Sequence, residues 1–151
     1  MENDQMTANN YAYPIEYLEQ NIKSTEYLFS IYLNSPYDYD ACVNAYMSTS
    51  KIREGMDKGN WSALNKGIKQ IYNSVDMSNI PEKRNDELID SGVSDWMAEI
   101  YVCLQWKYNI SSKLIIQRLP SEKLRAFFCP LHEASIENGV DKVYEKFFRD
   151  Q

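Results

Sequence analysis

The sequence predicts a single compact all-α domain of about six or seven helices, several of them short in the C-terminal half. Two observations carry this. Apolar residues recur at steps of three and four, and Ser, Asn, Asp and Pro stand where such stripes begin and end. Strictly alternating β-branched runs are missing, and the one Asn-Gly pair, Asn138-Gly139, lies inside a helical stripe. At 151 residues, 44% hydrophobic and 25% charged, the chain has the make-up of one folded domain that needs neither disulfides nor a metal for its core.

Residues 1–13, rich in Asn, Asp, Gln and Thr, are expected to form a loose tail, and residues 14–151 the helical domain. Pro14 suits a first helical turn, followed by Ile15, Leu18, Ile22, Phe29 and Tyr32, and Asn34-Ser35-Pro36 ends that helix. Asp38 or Asp40 caps the next, with Cys42, Ala45, Tyr46, Thr49 and Ile52 on one face and Gly55 near its end. Asn60 caps a stripe of Trp61, Leu64, Ile68, Ile71, Tyr72 and Val75. Residues 76–91 are the weak stretch: a loop, then a short polar helix from Pro81 to about Asp90, in the segment best suited to flexibility or insertion.

The second half is more regular. Ser94 is expected to cap a helix carrying Met97, Ile100, Tyr101, Leu104 and Tyr108, with Asn109 at its C-terminal end. Leu114, Ile115 and Leu119 form a short helix stopped by Pro120. Ser121 caps another with Leu124, Phe127 and Phe128, which Pro130 breaks. Ser135 caps the last, with Ile136, Val140, Val143, Tyr144 and Phe147 turned inward.

Charge and composition narrow the function classes. Sixteen basic against twenty-two acidic side chains give a net charge of -6, against a general polyanion binder. The acidity is uneven: residues 1–60 carry four basic and nine acidic side chains, residues 101–151 eight and six. The longest apolar stretch, Leu28 to Leu33, is far short of the roughly 20 residues of a bilayer span, so no membrane role is expected. The acidic, polar amino terminus is unlike a secretory signal. Three widely spaced cysteines, Cys42, Cys103 and Cys129, resemble buried thiols of a reducing compartment, and a cytoplasmic location is expected.

Catalytic chemistry has one place to start. The single histidine, His132, follows Cys129 by three residues, and on a helix the two would share a face as a Cys–His pair. Pro130 disturbs that spacing and no oxyanion donors are recognisable nearby, so no enzyme activity is expected. Cys129-x-x-His132 is half of a zinc ligand set without its other half, and Walker, dinucleotide and nucleophile-elbow motifs are missing. Neither metal nor cofactor is expected.

Two binding surfaces suggest themselves. Residues 111–128 outline two short helices joined by Leu119-Pro120-Ser121, like a helix-turn-helix. Lys113, Arg118, Lys123 and Arg125 would be its DNA contacts, against the single acid Glu122. The other is compositional: twelve tyrosines, eight in the first 46 residues. Tyrosine combines a large contact area with a polar tip at low entropic cost, which is why interfaces concentrate it. The acidic aromatic loop Tyr37, Asp38, Tyr39 and Asp40, with Tyr11 and Tyr13 in the tail, is therefore the expected docking surface. The leading functional expectation is a small cytoplasmic module that binds and occludes a partner protein, as antitoxin, immunity or anti-defence proteins do. A helix-turn-helix-like DNA-binding regulator is the alternative.

Overall fold

The computed structural model describes residues 11–84 and 88–149, and among these the fold is all-helical. A 3-10 turn, Ile15–Tyr17, leads into α1 (Leu18–Leu33), followed by α2 (Tyr39–Thr49), α3 (Lys51–Asp57), α4 (Trp61–Leu64) and α5 (Ile68–Asn73). The second half holds α6 (Ser91–Tyr108), α7 (Ser112–Arg118), α8 (Ser121–Ala126), the single turn α9 (Phe128–Leu131) and α10 (Ile136–Phe147). Helices α1 and α6 pack along each other as the central pair. Helix α10 lies on α6, and α2 braces α7 and α8.

Among the described residues ten helices stand where six or seven were expected, because polar joints cut two apolar stripes and Phe128–Leu131 forms a turn of its own. The stripe from Cys42 to Ile52 breaks at Ser50, whose backbone is extended and whose hydroxyl accepts from Arg53 N at the start of α3. The stripe from Trp61 to Val75 breaks at Asn65-Lys66-Gly67. Asn60 caps α4 as expected, accepting from Ala63 N at 3.2 Å, but Leu64 is the last residue of that helix.

Several other boundaries move for local reasons. Asp90, accepting from Gly92 N, starts α6, and Ser94 is buried inside the helix. Ser121 is the first residue of α8, not its cap. Pro130 does not break a helix: it sits within the first turn of α9, where no N–H is needed. The polar helix expected from Pro81 does not form among the described residues of that stretch. Residues 81–84 run extended beside the α1–α2 joint, with Asp38 N donating to Pro81 O at 2.8 Å and Lys83 N to Pro36 O at 2.9 Å.

Phe29 sits at the centre of the core, met edge-on by Tyr39, Tyr46 and Tyr101 at ring-centroid distances of 6.2, 6.4 and 6.5 Å. Gly139 lets α10 close on α6, since a Cβ there would stand 3.3 Å from Ile100 Cδ1. The stripes of α6 and α10 bury Met97, Ile100, Tyr101 and Leu104, and Val140 and Val143, as their spacing predicts.

A buried polar cluster joins the first half of the chain to α6 and α7. Arg53, 1% exposed, donates through Nε to Asp57, through Nη1 to Thr25 Oγ1 and Tyr46 Oη, and through Nη2 to Asn21 Oδ1. Asp57 also accepts from Ser112 N at 2.7 Å and Ser112 Oγ at 2.8 Å, while Gln105 Nε2 donates to its backbone carbonyl. Burial pushes the Asp57 carboxyl up, opposed by the Arg53 charge and the Ser112 donors.

Candidate functional site

The Tyr37–Asp40 segment is largely internal, which corrects the expectation of a docking loop. Asp38 caps α2, accepting from Ala41 N at 2.9 Å. Tyr39 is 2% exposed, and its hydroxyl meets Ser94 Oγ at 2.8 Å. Asp40 accepts from Ser121 Oγ at 2.6 Å and pairs with Arg125, so this carboxylate fastens α2 to α8. Only Tyr37 of the two aromatic residues keeps a half-exposed ring, and its backbone bridges Glu82.

The tail residues divide in the same way. Tyr13 is buried: its hydroxyl accepts from Asn21 Nδ2 at 2.7 Å and its carbonyl from Trp106 Nε1 at 2.7 Å. Gly59, at φ 71°, passes so close that a Cβ there would lie 2.6 Å from Tyr13 Cβ. Tyr11 keeps 39% exposure, with its ring 4.1 Å from that of Trp106. The expected loose tail is thus anchored at residues 11–13; residues 1–10 lie outside the described part of the chain.

The reason these tyrosines turn inward is that the fold supplies partners for their tips. Tyr13, Tyr39, Tyr46 and Tyr101 each bury a ring and bond a hydroxyl, the last donating to Leu119 O at 2.7 Å. Desolvation pushes the Tyr13 phenol up to about 12, against the opposing pull of the Arg53 charge and the Asn21 hydrogen bond. Composition shows the number of tyrosines, not which hydroxyls will find buried partners.

The four basic residues assigned to DNA contact are not brought together. Lys113 opens onto a small cleft beside Ser48, Ser50 and Lys51. Arg125 is taken up by Asp40. Arg118 and Lys123 share a partner in Phe147: Arg118 Nη1 donates to Phe147 O at 3.3 Å, and Lys123 Nζ stands 4.8 Å from the ring centroid. The proposed recognition helix, α8, has six residues and buries Ser121 and Leu124.

At the other candidate, His132 stacks on Phe128 at 4.3 Å with the rings 10° apart, and its Nδ1 lies 2.8 Å from Phe128 O. The imidazole is therefore engaged by the turn that carries it. Cys129 is exposed. Among the described residues no group of three or more His, Cys, Asp or Glu is placed to hold a metal ion, and no helix is long and apolar enough to cross a membrane.

What does face solvent is a set of residues the periodicity assigned inward. Trp61 is 63% exposed and Ile15 65%. Tyr17, in the same turn as Ile15, holds its ring 6.0 Å from that of Trp61. The geometry follows from the short helix: α4 buries Ala63 and Leu64, and its first residue, Trp61, is left pointing out. Gln20 Nε2 donates to Leu64 O at 2.7 Å and fixes α4 against α1. Farther along α1, Tyr27 is 58% exposed beside a shallow furrow lined by Lys23, Lys66 and Ile68. The sequence signal for Trp61 is its position directly after Asn60, the cap of a helix that ends before Asn65-Lys66-Gly67.

A larger cleft of about 690 Å³ is lined by Leu33, Pro36, Tyr39, Lys83, Arg84 and Leu88.

Compared with known protein families, curated proteins and solved structures, the chain matches none.

Proposed function

We propose that this chain is a protein-interaction module that binds and occludes a partner protein, in the manner of an antitoxin, immunity or anti-defence protein. Its contact surface in this reading is the ridge of Ile15, Tyr17 and Trp61, not the Tyr37–Asp40 loop. The observation that carries it is Trp61, 63% exposed with the Tyr17 ring 6.0 Å from its own, while Ile15, in the same turn as Tyr17, is 65% exposed. Tryptophan and tyrosine are the residues that most often anchor protein interfaces, because each buries a large area for few frozen rotors. Net charge supports the choice of partner class, since -6 disfavours a nucleic-acid target. The DNA-binding reading loses support from the capture of Arg125 by Asp40 and from the shortness of α8.

The test is recovery of the tagged full chain from a lysate of its own host, with and without nuclease, beside the Trp61→Ala variant. A stoichiometric protein that survives nuclease and moderate salt, and is lost with Trp61→Ala, is the expected result. Nucleic acid as the sole companion, or a partner retained undiminished by Trp61→Ala, contradicts the proposal.

A further inference from the structure

A second surface is distinct from the Trp61 ridge. Two lysines stand over one pair of rings, and an arginine from a third helix reaches the backbone beside them. Phe127, at the end of α8, and Phe147, at the end of α10, meet at 5.6 Å with their planes 74° apart, both half-buried. Lys123 Nζ lies 4.8 Å from the Phe147 centroid, and Lys146 Nζ lies 5.8 Å from each ring. Arg118, from α7, donates to the Phe147 carbonyl. Among the described residues none of these three cations has a carboxylate within ion-pair distance, whereas Arg53, Lys107 and Arg125 all do.

We infer that Arg118, Lys123 and Lys146, gathered around Phe127 and Phe147, form a docking site for an acidic, partly apolar segment of a partner protein. Charge complementarity selects the occupant. The ammonium groups sit over rings that attract them only weakly, so their remaining N–H bonds are available to carboxylates, and the half-buried rings offer apolar contact beside them. A nucleic acid fits less well for two reasons. Lys123 stands over the Phe147 ring and Lys146 5.8 Å from each centroid, which leaves a base less ring surface to stack on. Three cations release few counterions, for a log–log salt slope of only about -2.7, and the rest of a molecule of net charge -6 repels a long polyanion. A short acidic segment meets the three cations without extending over the acidic remainder.

This inference rests on the reading of the chain as a protein-binding module, but it uses a different face, so the two fail separately. The test is a fluorescence-anisotropy titration of the full chain with a labelled peptide of Glu and Leu at helical spacing. The same peptide with Gln in place of Glu, and a single-stranded oligonucleotide of equal charge, are run beside it. Expected is saturable binding of the acidic peptide, weakened about tenfold or more by the Glu-to-Gln change and equally by Lys123→Glu with Lys146→Glu. Thermal melting checks that the charge-reversed chain is folded. If it is not, Lys123→Gln with Lys146→Gln removes the charges without adding repulsion. Indifference to either change overturns the inference, as does tighter binding of the oligonucleotide. Self-association that is lost on charge reversal would also overturn it, by making a second copy the occupant. Trp61→Ala should leave this titration unchanged while abolishing capture from the lysate.

Discussion

At Tyr39, the ring edge that meets Phe29 and the hydroxyl that meets Ser94 place one side chain in both the core and a buried hydrogen bond. Tyr39→Ala should therefore cost about 3–5 kcal/mol of stability, read as a fall in the urea midpoint, where a surface contact residue would lose almost nothing. Arg53 is more demanding still, because Asp57, Asn21, Thr25 and Tyr46 all turn to it. Arg53→Met should destabilise by about 3–5 kcal/mol, since it leaves a buried carboxylate without its cation. Tyr13 supplies a pH signature. Its phenol is pushed up from 10.0 to about 12, so the native state holds the proton more tightly than the unfolded chain. The stability it contributes is whole below pH 10 and falls as pH rises from 10 toward 12. Urea midpoints at pH 9 and pH 11 measure the loss, and Tyr13→Phe should lessen it, the remainder coming from Tyr39, Tyr46 and Tyr101, whose phenols burial raises in the same way; an unchanged slope would show that Tyr13 is not buried as described.

Among the helices, the boundaries set by a fitted cap were legible in the sequence, and those set by tertiary demand were not. Pro36 beyond α1, Asn60 before α4 and Ser135 before α10 stand where local chemistry puts them. The divisions at Ser50 and Asn65 were hidden because the apolar stripes run through them, and only the packed structure shows Ser50 meeting Ser74 and Leu64 O tied to Gln20. The all-α class was legible because periodicity reports it directly. The candidate site was not: a stripe gives the mean direction of a helix face, and Trp61 departs from it at the very first residue of a four-residue helix. Asn109 offers the sharpest test at this scale. It ends α6 with φ 53° and ψ 48°, a left-handed conformation that Asn tolerates and a β-branched residue does not. Asn109→Val should cost about 1–2 kcal/mol in chemical denaturation, and Asn109→Gly should cost little or nothing.

Across the whole molecule, nine of the twenty aromatic residues are buried, and two groups of the rest reach the surface. The acidic first half carries Ile15, Tyr17 and Trp61 on its surface, while the more basic second half carries Lys123 and Lys146 over Phe127 and Phe147. Both faces are held by internal ties, from Gln20 to Leu64 in one case and from Arg118 to Phe147 in the other. Their side chains can therefore be altered without dismantling the core, which separates binding from folding in an experiment. The central claim is that the exposed ridge, and not the tyrosine-rich loop, meets the partner. The most direct measurement is the affinity of the full chain for its captured partner, compared among wild type, Ile15→Ser with Trp61→Ala, and Tyr37→Ala, each with its melting temperature. The account predicts a loss of about tenfold or more for the ridge variant, with stability changed by no more than about 0.5 kcal/mol per site, and near-wild-type binding for Tyr37→Ala. Unchanged affinity in the ridge variant, with loss in Tyr37→Ala, would contradict it.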